Sequence, residues 1–221
     1  MVREVFKTSL PVAFGYLPLG MAFGVLLQNL GIPWYWATAM GVFIFAGAAQ
    51  FMAVAMLSAK AGLFDVFTAT LLLNLRHVFY GLAMINRFKC LGSGRLYAIF
   101  GLTDETFSLL STSEVQIGDS RFVVGLTALN HLWWVVGCTL GAVLKSNIEF
   151  DSTGIDFSLT CLFVVLLLEQ WFKSRDPKPI LAGLCAGAAS LLVFGRDHFL
   201  LFGIAGVMLT IPLIGKDVKN D

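Results

Sequence analysis

Three polar side chains stand close together inside an apolar run: Asn74, Arg76 and His77 in LLLNLRHVFYG, residues 71–81. An arginine at the centre of a membrane helix costs about 2.5–3.5 kcal/mol on insertion scales, so it must face a protein interior or a wet cavity and find a partner there. Its planar fork binds a carboxylate through two parallel hydrogen bonds, a geometry that lysine does not copy. Arg76 is therefore a candidate counter-ion for a carboxylate solute. Its structural alternative is an ion pair with Asp104 or Glu105 that only fixes packing. Gln50, in FIFAGAAQFMAV, sets one amide beside small residues that leave the backbone bare, and it serves equally as an interhelical hydrogen bond or as a contact for a zwitterion. Asp104 and Glu105 follow Thr103 in GLTDETFSLL. They read as the first turn of a helix capped by Thr103, whose dipole two acids complement. Were that helix to begin inside the protein, burial would favour a protonated carboxyl and allow proton exchange. His77 and His131 are the other candidates for carrying a proton, although Asn130 and His131 lie next to Trp133 and Trp134, a pattern also common at a membrane interface.

The elements that must position these groups are membrane helices. The 221 residues are 57% hydrophobic and 13% charged, with mean hydropathy +0.82, far from the soluble norm of roughly 45–50% apolar and about 25% charged. Apolar runs cover residues 10–30, 35–57, 63–85, 122–144, 157–172, 180–194 and 199–214, several of them within the roughly 17–25 residues that cross hydrocarbon. An eighth, residues 95–111, is interrupted by Asp104 and Glu105 and reads as a broken or re-entrant span. Strands of an outer-membrane barrel would alternate apolar and polar residues, which these runs do not. The expected fold is all-α, a polytopic bundle of seven to eight spans forming one domain over residues 1–221. Its run at residues 10–30 is too long for a signal h-region and reads as an uncleaved first helix.

Charge gives an orientation. With all eight segments crossing, nine Lys and Arg, from Arg3 and Lys7 to Lys216 and Lys219, share one side, five take the other, and Arg76 stays in the membrane. The richer side is cytoplasmic. If residues 95–111 do not cross, the N-terminus moves outside, but the C-terminus is cytoplasmic in both arrangements. Net charge +1 without a basic run gives no reason to expect nucleic acid as a partner. The four cysteines form no CxxC pair and read as small packing residues, so neither a metal nor another cofactor is expected.

Glycine spacing predicts close helix packing at Gly20/Gly24, Gly137/Gly141 and Gly183/Gly187, each a GxxxG pair. Pro11 and Pro18 make the stretch from Gly15 to Gly20 a place where the first helix could open. On the third helix, Asn74 and His77 share a face that Arg76 opposes, which predicts either a central position in the bundle or an unwound backbone near Asn74. Aligning Gly20/Gly24 with Gly137/Gly141 suggests a weak internal repeat.

GYLPLGMAFG, FAGAAQFMAV, NLRHVFYG and LTDETF occur in this order and resemble the motifs of the AzlC family, the large subunit of bacterial branched-chain amino acid exporters. The resemblance continues through FSLTCLFVVLLLEQW. It implies an inner-membrane permease that exports valine, leucine, isoleucine or similar amino acids with a small hydrophobic AzlD-type subunit. Its polar positions here are Gln50, Asn74, Arg76, His77, Asp104 and Glu105. The first four are expected to bind substrate and the two acids to carry the proton, with Phe43, Phe51 and Phe79 as an apolar wall. Other solutes, uptake in place of export, and a non-transporting membrane scaffold are the rival readings. An enzyme is not expected, because HExxH, GxSxG and any cysteine–histidine cluster are missing from the sequence.

Overall fold

A computed structural model of the chain describes residues 1–89, 91–112, 120–148 and 177–214, with isolated positions between 154 and 175. Every regular element among them is helical. The elements are α1 (Val2–Asn29), α2 (Trp34–Phe43), α3 (Gly47–Ser58), α4 (Leu63–Lys89), α5 (Arg95–Phe100), α6 (Asp104–Thr112), α7 (Ser120–Asn147) and α8 (Lys178–Ile214). Of the described helices, α1, α4 and α7 are long and apolar enough to cross a membrane. The expected run at residues 157–172 falls largely outside the described residues.

Two compact units divide the chain, one of residues 1–60 and 74–159, the other of 61–73 and 160–221. The first is built on α1 and α7, whose pairing is by far its most extensive. The glycines explain the closeness. A Cβ on Gly20 would stand 2.9 Å from the Cys138 amide nitrogen, and one on Gly137 would stand 2.9 Å from the Leu17 carbonyl. Methyl groups on Gly24 and Gly141 would run into the Cys138 and Met21 carbonyls. Two backbones thus touch where lipid offers no hydrophobic drive to association. The glycines aligned as a repeat are the ones that meet. At one end of this unit an apolar core joins Val5 of α1, Met84 and Phe88 of α4, Ala98, Leu102, Leu110, and Phe122 and Leu126 of α7.

In the second unit, α8 bends at Gly195, whose φ of +71° and ψ of −169° suit glycine. The bend separates the two apolar runs expected there, and Phe194 stacks on Phe202 across it with ring centres 3.7 Å apart. Among the described residues nothing stands within 4 Å of a Cβ built on Gly183 or Gly187, so their spacing does not mark a contact like that of α1 with α7.

Three expectations change. The helix with Pro11 and Pro18 is unbroken from Val2 to Asn29, because its glycines are clamped on α7. No unwinding occurs near Asn74 either, and α4 is continuous. The run at residues 35–57, expected as one span, is interrupted at residues 44–46 into α2 and α3. There the Ile44 and Phe45 amides both return to the Met40 carbonyl, and Phe45 enters the left-handed region at φ +45°. For a bulky residue this conformation costs about 1–3 kcal/mol. Phe45 is 3% exposed, wedged among Tyr16, Phe100 and His131, and burial of its ring offsets the strain.

Candidate functional site

A second interruption, Gly101–Thr103, separates α5 from α6 and fulfils the broken span expected at residues 95–111. Thr103 caps α6 as its sequence suggests: its Oγ1 accepts the Thr106 amide at 3.3 Å, while its carbonyl accepts that of Phe107 at 2.8 Å. Gly101 is required here, since a Cβ would strike the Thr127 methyl. The two interruptions adjoin: that same Cβ would lie 3.5 Å from the Phe45 ring, and the Phe45 and Phe100 rings are 6.3 Å apart. Discontinuous helices meeting inside a membrane protein are where free backbone groups become available to a solute.

His131 of α7 ties the interruptions together. Its Nε2 lies 3.1 Å from the Gly41 carbonyl at the end of α2, and its Nδ1 lies 2.9 Å from the Tyr97 hydroxyl of α5. The carbonyl can only accept, so Nε2 carries hydrogen, and in the neutral ring Nδ1 accepts from Tyr97. The ring also stacks on Phe45, 4.3 Å between centres. His131 therefore has a structural task that leaves neither nitrogen spare. Replacing His131 with leucine is expected to lower thermal stability in detergent by about 2 kcal/mol, since Gly41 and Tyr97 lose their partners. Glutamine, which offers one donor and one acceptor, should recover part of that loss in the same melting assay.

Arg76 of α4 meets Asp104 at the start of α6, with Nη1 2.6 Å from Oδ2. Of its two candidate partners the adjacent acid is taken, and Tyr80 stacking on Phe107 at 4.5 Å holds the two helices in register beside the pair. The pair is partly open, Arg76 being 32% and Asp104 23% exposed. Two of its buried atoms, Arg76 Nε and Asp104 Oδ1, have no hydrogen-bond partner among the described residues. His77 turns Nδ1 to the Asn74 carbonyl of its own helix, 3.3 Å away.

Glu105 points elsewhere. Its Oε2 accepts the Tyr16 hydroxyl of α1 at 2.6 Å. That hydroxyl also lies 2.8 Å from Thr103 Oγ1, whose own hydrogen goes to Thr106 Oγ1, so the single tyrosine hydrogen stands between two acceptors, Glu105 and Thr103. The chain of polar contacts continues from Thr103 to Thr106, on to Asn130 Nδ2, and from Asn130 Oδ1 to Ser9, 2.5 Å away, which accepts the Trp133 indole. Ser9, Thr106 and Asn130 are fully buried, and this network fastens α6 between α1 and α7. Sequence reasoning missed Ser9, Thr106 and Tyr16. Only Tyr16 carried a signal, its place in GYLPLG.

Gln50 of α3 stands apart from the Arg76 pair. It is 0% exposed, and its Oε1 accepts the Ala46 amide at 3.3 Å and the Trp134 indole at 2.8 Å. The path between the two clusters runs through Trp134, edge-on to Tyr16 at 5.4 Å, and then Glu105. Of the expected apolar wall only Phe51 is internal, at 1% exposed, because Phe43 and Phe79 turn outward at 77% and 69%. Phe23 takes their place beside Phe51, 5.9 Å from it.

Residues 11–148, which hold both interruptions and, apart from Ser9, the polar residues of these clusters, match the family model described as AzlC protein. The chain belongs to the AzlC family. Similar proteins include the branched-chain amino acid transport protein AzlC of Bacillus subtilis, 33% identical over 99% of this chain and 87% of that protein. An uncharacterized membrane protein of Helicobacter pylori strain 26695 is 35% identical over 98% of this chain and 96% of its own length. The inner membrane protein YgaZ of Escherichia coli K12 is 28% identical over 94% and 88%. No solved structure matches. This AzlC family member is thus a membrane protein whose relatives include a transporter, and the family points away from an enzyme.

Proposed function

We propose that the protein is the large subunit of a proton-coupled exporter that moves branched-chain amino acids outward across the inner membrane, together with a small hydrophobic AzlD-type subunit and with its C-terminus in the cytoplasm. The observation that carries this reading is the Arg76–Asp104 pair, which keeps one buried donor, Arg76 Nε, and one buried acceptor, Asp104 Oδ1, unused. A zwitterion is the complement of that arrangement: its carboxylate takes the Nε hydrogen and its ammonium gives to Oδ1. Because the pair is already neutral, a net-neutral amino acid adds no unbalanced charge in a medium that penalises it. Asn74 and His77 lie on the same turn of α4 as Arg76, and Gln50, which stands apart from the pair, meets the substrate elsewhere along its path. The branched side chain faces aromatic and aliphatic surface.

The two acids then differ in task. Asp104 is held by a cation, and protonating it would strand Arg76 at membrane depth. Glu105 has a hydroxyl partner, Tyr16, able to accept a hydrogen bond from a carboxyl as well as to donate one to a carboxylate. Glu105 is therefore the proton site, and Asp104 serves coupling through Arg76. The test is reconstitution of the chain with and without a candidate small subunit, an imposed pH gradient, and measurement of labelled valine. Valine should move against the proton gradient, and Glu105→Gln should abolish the dependence on that gradient while leaving valine exchange measurable. A flat result in every condition would make the protein a scaffold, and inward movement would reverse the direction.

A further inference from the structure

The first turn of α3 gathers hydrogen-bond donors without an acceptor. Two N–H groups, of Ala46 and of the Trp134 indole, converge on Gln50 Oε1. Only an oxygen fits opposite two donors, so the orientation of this amide is fixed and its Nε2, bonded to the same carbon, lies at the same turn. Nε2 is buried and has no partner among the described residues. The first backbone bond of the turn runs from the Gln50 amide to the Ala46 carbonyl, and no side chain caps the helix. The amides of Gly47, Ala48 and Ala49 accordingly find no acceptor among the described residues. Their side chains are a hydrogen and two methyls, which leaves the backbone approachable, and the Trp134 ring lies 3.1 Å from where a Gly47 Cβ would be. Phe23 and Phe51, both buried, extend this aromatic surface.

Such a turn carries partial positive charge, and unsatisfied N–H groups are costly away from water. A single-charged group with two acceptor oxygens on an apolar body answers both. We propose that the N-terminal turn of α3, Gly47–Gln50, is a second station for the carboxylate of the transported amino acid, separate from the Arg76–Asp104 pair. The inference rests on the transport reading for the identity of its ligand. The station is shut in this conformation, and the left-handed hinge at Phe45, just ahead of it, is where α3 moves to admit the carboxylate.

Trp134 reports on the station directly, because its indole shares Gln50 Oε1. Fluorescence of the full chain in lipid nanodiscs, taken as the difference between the natural protein and Trp134→Phe, is followed on titration with valine, with 3-methylbutanoate, with 2-methylpropylamine and with chloride. Valine and the ammonium-free acid should shift Trp134 emission, whereas the carboxylate-free amine and chloride should not. Gln50→Leu should raise the half-saturating concentration of both carboxylates at least ten-fold. Ala48→Pro, which removes one amide donor in a first turn that tolerates proline, should raise it several-fold. An equal response to the amine or to chloride overturns the assignment, as does unchanged half-saturation in variants that keep the natural melting temperature. Failure of the natural protein to move valine in vesicles would instead count against the transport reading, since the 3-methylbutanoate titration reads the station without transport.

Discussion

Alanine at Gly24 or Gly141 is expected to prevent stable assembly of the α1–α7 pair, while alanine at Gly183 leaves the protein intact. A Cβ at either of the first two positions would meet backbone of the facing helix: the Cys138 carbonyl and Ala142 amide for Gly24, the Met21 backbone for Gly141. Backbone cannot rotate away as the end of a side chain can, so the helices must separate. Overpacking in an ordinary core costs about 1–3 kcal/mol, and a separation along this pair costs more, because it also loosens the contacts of Ser9, Tyr16, Phe23, Asn130 and Trp134 that depend on the approach. Gly183 has nothing within reach of a Cβ among the described residues, and alanine there gains about 0.5–1 kcal/mol of helix preference. Yield of monodisperse protein from membranes and its melting temperature in detergent measure the contrast. Equal behaviour of the Gly24 and Gly183 variants would mean that α1 and α7 do not touch through their glycines.

The second large effect is expected at the Arg76–Asp104 pair, where three variants separate structure from transport. Asp104→Asn leaves a guanidinium without its anion; for a fully buried pair this costs roughly 3–5 kcal/mol, and the lower end applies because Arg76 is 32% exposed. Both melting temperature and valine flux should fall, the flux below a tenth of its natural value. Arg76→Lys preserves the charge and the pairing with Asp104 but deletes the Nε hydrogen, so stability should hold while flux drops at least ten-fold. Arg76→Gln combined with Asp104→Asn removes both charges, which restores stability without restoring flux. A lysine variant that transports at the natural rate would remove Arg76 Nε from the substrate site.

Much of this molecule was legible from its residue order. Hydropathy adds up locally along the chain, and it placed α4, α7, the two limbs of α8 and the C-terminal end of α1 to within a few residues of their observed ends, whereas the more polar start of α1, Val2–Ser9, fell outside the expected run. Thr103 followed by two acids marked the start of α6 for a reason that is also local: a hydroxyl caps the amides and carboxylates suit the dipole. The requirement that Arg76 find a partner followed from its depth alone.

Tertiary structure decided what depends on distant neighbours. The interruption before α3 has neither proline nor glycine at its left-handed residue, Phe45. It exists because Tyr16, Phe100 and His131 form the slot that buries that ring, and no window of sequence around Phe45 contains them. Both Asp104 and Glu105 were open as the partner of Arg76. Neighbours in sequence but about 100° apart on α6, they point to α4 and to α1 respectively. Identical GxxxG spacings became a backbone contact between α1 and α7 but, among the described residues, left room for a Cβ at Gly183 and Gly187, because spacing fixes only which residues share a face of a helix. What that face meets is set by the partners that the rest of the chain brings to it.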